Sequence, residues 1–190
     1  MATNSIKASA VARRIGILCV AAVTLGVSTP AFCSNQGSLG ATSTGSVSIS
    51  VSVANRAQIT GLTDISFSAV DPASNATSAQ SDCVWSNTAT KGYSITATGS
   101  GTSGAFTLAN GALTVPYTVQ WAASTGQTSG SALTAGTALG GLTTTAANPT
   151  CSTGAATTSS LIVTISSANL QGITAGASYT GTLTLLVTPQ

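Results

Sequence analysis

Histidine and glutamate are absent from this chain, and its only acidic residues are Asp64, Asp71 and Asp82. Without histidine no Ser–His–Asp triad can be assembled, although serine and threonine are abundant. Asp71 precedes Pro72, and Asp82 lies in a Ser- and Asn-rich stretch before Cys83, so turn-capping roles are predicted for both. Three scattered carboxylates supply few of the oxygen ligands that a hard cation needs. The composition therefore predicts a protein that is not an enzyme and that uses no cofactor or metal.

Basic residues are almost as scarce, and three of the five lie in the first fourteen positions: Lys7, Arg13 and Arg14. Beyond residue 33 the chain keeps Arg56 and Lys91 against the three aspartates, a formal net charge of −1. A nearly neutral chain cannot neutralise a run of phosphates, which excludes nucleic acid as a partner. Net charge near zero also favours self-association.

The first 33 residues have the tripartite order of a secretory signal peptide. Basic residues precede an apolar run at 15–23, and small residues lead into Ala31-Phe32-Cys33. Cleavage after Ala31 and cleavage after Cys33 both fit. The apolar run is too short to span a membrane. The predicted organisation is a signal peptide at 1–33, a flexible leader with an N-terminal donor strand at 34–54, and one domain at 55–190.

Cysteine usage supports export. Cys19 leaves with the signal, and if Cys33 leaves too, Cys83 and Cys151 remain as a pair. An even number of cysteines in an exported chain predicts a disulfide. In the chain-entropy model, closing a loop of this length stabilises by about 4–5 kcal/mol.

Strand patterns recur along the rest of the chain, and no segment has sustained helical periodicity. The predicted strands are Ala57–Thr60, Ile65–Val70, Tyr93–Thr98, Ala105–Leu108, Leu113–Ala122, Leu161–Ser166 and Tyr179–Thr188. The Gly-, Ala-, Ser- and Thr-rich stretch 123–160 is predicted to form edge strands and loops, with Leu133, Leu139 and Leu142 packed on the core. Many short strands separated by turn residues indicate an all-β sandwich. Trp85 and Trp121 are predicted to pack in its core.

Two segments near opposite ends of the chain alternate apolar and hydroxyl residues. The first is Val47-Ser48-Ile49-Ser50-Val51-Ser52-Val53, and the second is Leu183-Thr184-Leu185-Leu186-Val187-Thr188. Successive side chains of a strand point to opposite faces, so each segment has one apolar and one polar face. We expect the first to be a strand that the chain lends, and the second to be a strand with one edge left uncovered.

These segments, together with the leader, Val115–Trp121 (VPYTVQW) and 177–187, resemble subunits of chaperone–usher pili, particularly the archaic and alternate branches that include spore-coat-U-like domains. The resemblance implies an incomplete immunoglobulin-like β-sandwich that lacks its last strand and is completed by donor-strand exchange. In such families a periplasmic chaperone first lends a strand, and at the outer-membrane usher the next subunit's N-terminal strand replaces it. The C-terminal carboxylate, here at Gln190, would dock on the chaperone.

The resemblance implies which residues of this chain form the donor strand and which form the acceptor groove. The donor residues are Val47, Ile49, Val51 and Val53, and the acceptor groove includes Leu183, Leu185 and Val187. The expected function is a structural subunit of an extracellular adhesive pilus that supports surface attachment and biofilm formation, with identical or related subunits as partners. The alternative is a secreted carbohydrate- or surface-binding β-sandwich module with Trp85 or Trp121 exposed as a stacking platform.

Overall fold

The computed structural model describes residues 34–190. The chain divides into two compact units, Met1–Ser52 and Val53–Gln190. The predicted signal peptide and both of its possible cleavage points lie outside the described residues.

The first unit, as described from Ser34 to Ser52, has little regular structure. Asn35 and Ser46 form an isolated antiparallel bridge, with both N–H···O distances at 2.9 Å. The predicted strand at 47–53 has no hydrogen-bonded strand partner among the described residues, so it is not assigned as a strand. A β-strand is stable only when its backbone N–H and C=O groups are paired with a neighbour.

The second unit is built from antiparallel strands. They are β1 (Ala57–Thr60), β2 (Ala76–Ser86), β3 (Gly92–Gly99), β4 (Thr107–Asn110), β5 (Leu113–Pro116), β6 (Thr118–Ala122), β7 (Ser131–Ala132), β8 (Ala138–Thr143), β9 (Ser159–Ile165) and β10 (Leu183–Pro189). A 3-10 turn at Thr102–Gly104 and one helical turn, α1 (Ser167–Leu170), complete it. Ser166 caps α1, because its side chain accepts the Asn169 N–H. The fold is all-β, as the sequence predicts.

Two main sheets form the unit. One has the strand order β1-β2-β9-β6-β7, the other has the order β10-β3-β8, and β4 and β5 pair as a separate hairpin. The stretch 123–160 supplies β7 and β8, each at the edge of its sheet, in agreement with the sequence-based expectation. Tyr117 interrupts the predicted strand Leu113–Ala122, so that β5 pairs with β4 while β6 pairs with β9.

The two sheets share one hydrophobic core. Val84, Val119 and Leu161 from the first sheet and Tyr93 and Ile95 from the second are all buried in a single cluster. Trp121 on β6 belongs to it, and its indole Nε1–H donates a hydrogen bond to the Tyr93 hydroxyl on β3 at 3.1 Å. Burying these faces against each other supplies most of the stabilisation, at about 25 cal/mol per Å² of apolar surface.

The longest strand, β2, is absent from the sequence-based prediction. Its sequence, ATSAQSDCVWS, is rich in serine and lacks the apolar alternation of a strand. The structure places Asp82 inside β2 and fully buried, so the turn-capping role predicted for it is wrong. Asp71 does cap a turn, since its carboxylate accepts the Ala73 N–H at 2.9 Å.

The predicted strand Ile65–Val70 is also not formed. Residues 61–70 have no regular secondary structure, although Ile65 and Phe67 pack against the core. The alternating residues of this segment are therefore alternately packed and exposed as in a strand, but the backbone is not paired with a neighbouring strand.

The structure joins Cys83 and Cys151 in a disulfide, as cysteine parity predicts, with their Cα atoms 6.0 Å apart. The bond ties β2 to the loop between β8 and β9. Such a disulfide indicates an oxidising, exported compartment. Among residues 34–190 no helix is long and apolar enough to cross a membrane.

Candidate functional site

The second unit has an open groove with a volume of about 1110 Å³. It lies between the edges of the two sheets: β1 is an edge of one, β10 is an edge of the other, and these two strands contact each other. Its lining comes from residues 62–70, which follow β1, from residues 173–185, which lead into β10, and from core side chains of β9. We call this feature the groove.

The groove is apolar at its base. Leu161, Val163 and Ile165, at alternate positions of β9, point into it, and Leu108 and Tyr117 add to the same surface. All three β9 side chains also belong to the hydrophobic core. The groove is therefore an opening onto the hydrophobic core that the two sheets share.

Residues 62–70 form one wall, which is held near its start by one side chain. Gln80 on β2 accepts the Thr63 N–H at 2.8 Å and donates to the Thr63 carbonyl at 3.1 Å. Beyond this contact no backbone group from Asp64 to Val70 makes a hydrogen bond within the described part of the chain. This wall thus presents a row of unpaired N–H and C=O groups beside apolar Ile65 and Phe67.

The other wall includes β10, which alternates strictly in exposure. The side chains of Leu183, Leu185 and Val187 are half-buried, whereas those of Thr184 and Leu186 are exposed. Leu183 and Leu185 line the groove, and Val187 packs against the core without lining it.

One edge of β10 is fully paired and the other is free. Its residues are paired with β3 from Leu183–Gly99 to Pro189–Tyr93. No strand pairs with its other edge in the region from 34 to 190. An edge strand with unpaired backbone groups is a template for another strand.

The sequence-predicted donor side chains are exposed. Val47, Ile49, Val51 and Val53 have relative exposures of 73%, 90%, 92% and 77%. Four large apolar side chains at alternate positions of one segment form an exposed apolar stripe, which soluble proteins normally bury against a partner.

A second, buried polar site lies in β2. One carboxylate oxygen of Asp82 accepts the Ser159 hydroxyl, and Oδ2 has no hydrogen-bond partner among the described atoms. Burial raises the pKa of Asp82 from 3.8 to about 6, and the Ser159 hydrogen bond partly opposes this. The sequence did not reveal this polar layer, because the serines of β2 and Ser159 and Ser160 would ordinarily be expected to face solvent.

Neither tryptophan forms an open platform. Trp121 is 1% exposed, and Trp85 is half-buried against the disulfide. Over residues 34–190 no group of three His, Cys, Asp or Glu side chains is placed to hold a metal ion. The groove combines an apolar lining with the unpaired backbone groups of residues 64–70.

Compared with known proteins, the chain matches no family model and no curated protein.

Proposed function

We propose that this protein is a structural subunit of a chaperone–usher pilus, in which residues 47–53 of one copy fill the groove of the next. The observation that carries the proposal is the groove itself, an apolar opening onto the core with unpaired backbone on both walls. A strand inserted there would pair with β10 and complete an immunoglobulin-like sandwich.

The exposed stripe at 47–53 has the properties that the groove requires. Burying four β-branched side chains contributes about 1.5–3 kcal/mol each before entropy costs. The seven residues extend over about 23 Å, the length of the seven-residue strand β10. Its serines at alternate positions would stay on the outer face.

Chain length argues that the occupant is the segment of another copy. If 54–56 reversed direction as a turn, Val53 would lie opposite Ala57, and Val47 alone of the four apolar residues would reach the groove lining, which begins at Leu62. If the segment instead ran parallel to residues 62–70, Val53 would have to lie beside residue 68. Val53 is bonded directly to Ala54, which is 14 residues earlier in the chain than residue 68, so no linker could span that distance. In these two arrangements at most one of the four apolar residues reaches the groove of its own chain, which favours another copy as the source of the segment.

During export the same surface needs temporary cover, because an open apolar groove with a free strand edge aggregates. A periplasmic chaperone and an outer-membrane usher are the partners proposed to supply that cover and to catalyse the exchange. The assembled product would be an extracellular pilus that supports attachment and biofilm formation.

Val51→Asp tests the proposal, with Ser50→Asp as the matched control on the opposite face of the segment. We expect Val51→Asp to abolish fibres seen by electron microscopy and to leave a folded, chaperone-bound subunit, because a carboxylate cannot be buried in an apolar groove. Ser50→Asp should assemble. Fibres of normal length from Val51→Asp would refute the proposal.

A further inference from the structure

The three residues that connect the donor segment to β1 are fixed by one side chain. The Asn87 side-chain amide donates to the Ala54 carbonyl at 2.9 Å, and its amide oxygen accepts the Arg56 N–H at 2.6 Å. The Asn87 backbone N–H donates to the Arg56 carbonyl at 3.1 Å. Only one orientation of the amide satisfies both side-chain bonds, since NH₂ must face the carbonyl and oxygen must face the N–H.

These bonds extend the β1–β2 ladder past its last residue pair. Ala57 is paired with Ser86, so Arg56 opposite Asn87 continues the same register. The Asn87 side chain then takes the place of a peptide group opposite Ala54. We call the three hydrogen bonds the Asn87 bracket. It holds Ala54–Arg56 in line with β1, although β2 has already ended at Ser86.

The bracket leaves no free residue next to the donor segment. Val53, its last apolar residue, is bonded directly to Ala54, whose carbonyl is held. A short restrained linker transmits orientation, whereas two unrestrained residues would span a random distance of about 7–8 Å.

We propose that Asn87 is the positioning residue for the joint between consecutive subunits, fixing the angle at which each domain follows the groove that its donor segment occupies. This inference rests on the proposed function and adds a mechanical role to it. In the assembled fibre Val53 lies in the neighbour's groove and Ala54 in its own domain's ladder, so the bracket restrains the chain where it passes between two rigid bodies. Without the two side-chain hydrogen bonds, Ala54 and Asn55 lose their restraint, whereas the Asn87 backbone N–H still holds the Arg56 carbonyl.

The test compares fibre bending in Asn87→Ala and in the parent. Thr90→Ala is the control, an exposed side chain in the same loop that makes no hydrogen bond in the described region. The persistence length, traced on electron micrographs of fibres, is expected to fall at least about twofold in Asn87→Ala, because Ala54 and Asn55 regain coil-like freedom. Thr90→Ala should match the parent.

The outcomes separate the joint from a merely structural role. If Asn87 only stabilises the domain, Asn87→Ala lowers the unfolding temperature of the subunit, and its fibres bend like those of the parent; this overturns the inference. If Asn87→Ala yields no fibres, Asn87→Gln decides, because it keeps the amide but displaces it by one methylene. Parental stiffness in Asn87→Gln fibres then overturns the inference, and softer fibres support it. A parent that forms no fibres refutes this inference and the proposed function together.

Discussion

Replacing Asp82 with asparagine measures what one buried carboxylate costs this fold. The side chain has no exposed surface, and Oδ2 has no partner in the described structure. Because burial raises its pKa from 3.8 to about 6, the native state holds a proton that the unfolded chain releases between those two values. Well below pH 3.8 both states are protonated, and the group adds no pH dependence to the unfolding free energy.

The sign and the size follow from this linkage. As pH rises from 3.8 to about 6, the unfolding free energy falls by about 1.4 kcal/mol per pH unit, because the native state binds the extra proton. Above pH 6 the loss is complete and amounts to about 3 kcal/mol. The contribution of Asp82 is thus expected to make the unfolding free energy higher at mildly acidic pH than at neutral pH.

Asp82→Asn removes the ionisation and keeps the shape and the acceptor for Ser159. The amide adds a buried N–H group whose cost is the same at every pH, so the comparison between two pH values cancels it. We expect the variant to gain about 3 kcal/mol relative to the parent on going from pH 3.5 to pH 8. Urea unfolding followed by tryptophan fluorescence measures this, since Trp121 is buried in the core.

Asp71→Asn is the matched control, because it makes the same change in net charge at an exposed turn. If the unfolding free energies of Asp82→Asn and the parent change in parallel between the two pH values, the assignment of a raised pKa to Asp82 is wrong.

Two further predictions concern the disulfide and the groove wall. The double variant Cys83→Ala/Cys151→Ala is expected to lose about 4 kcal/mol of unfolding free energy in urea titrations, because the bond closes a loop across a sequence separation of 68 residues; a loss under about 1 kcal/mol would contradict the chain-entropy argument. Leu185→Asp is expected to weaken binding of a synthetic peptide of residues 45–54 at least about 100-fold, since it puts a charge on the groove lining. Thr184→Asp, on the exposed face of β10, should bind the peptide like the parent, and equal loss in both variants would count against the groove as its site.

Much of the fold could be predicted from local pattern. The alternation at β10 and the bounds of β1 follow from residues that repeat with period two, and the pairing of Cys83 with Cys151 follows from parity. The interior strand β2 could not be predicted, because Asp82 and Ser86 are polar residues that the folded sheet buries. Hydroxyl groups fit an interior when a partner such as Ser159 accepts or donates nearby, and sequence pattern contains no information on such partners.

Only one wall of the groove could be predicted from the sequence. Leu183 and Leu185 stand out as an apolar face, whereas residues 62–70 were predicted as an ordinary paired strand. This segment keeps its apolar side chains inward and its backbone unpaired. Both features depend on the positions of the two sheet edges in the folded protein. The Asn87 bracket is equally invisible in the sequence, where an Asn after a strand predicts only a turn.

The sequence by itself determined that this chain is all-β, nearly uncharged and without histidine or glutamate, and that it has an apolar stripe at 47–53. These properties depend on residue type and on spacing along one strand. Tertiary structure alone decided that β1 and β10 are sheet edges that contact each other, with an opening onto the core beside them. Edges are a property of how strands far apart in sequence pair, and long-range pairing is fixed by the packing of the whole core rather than by any single segment.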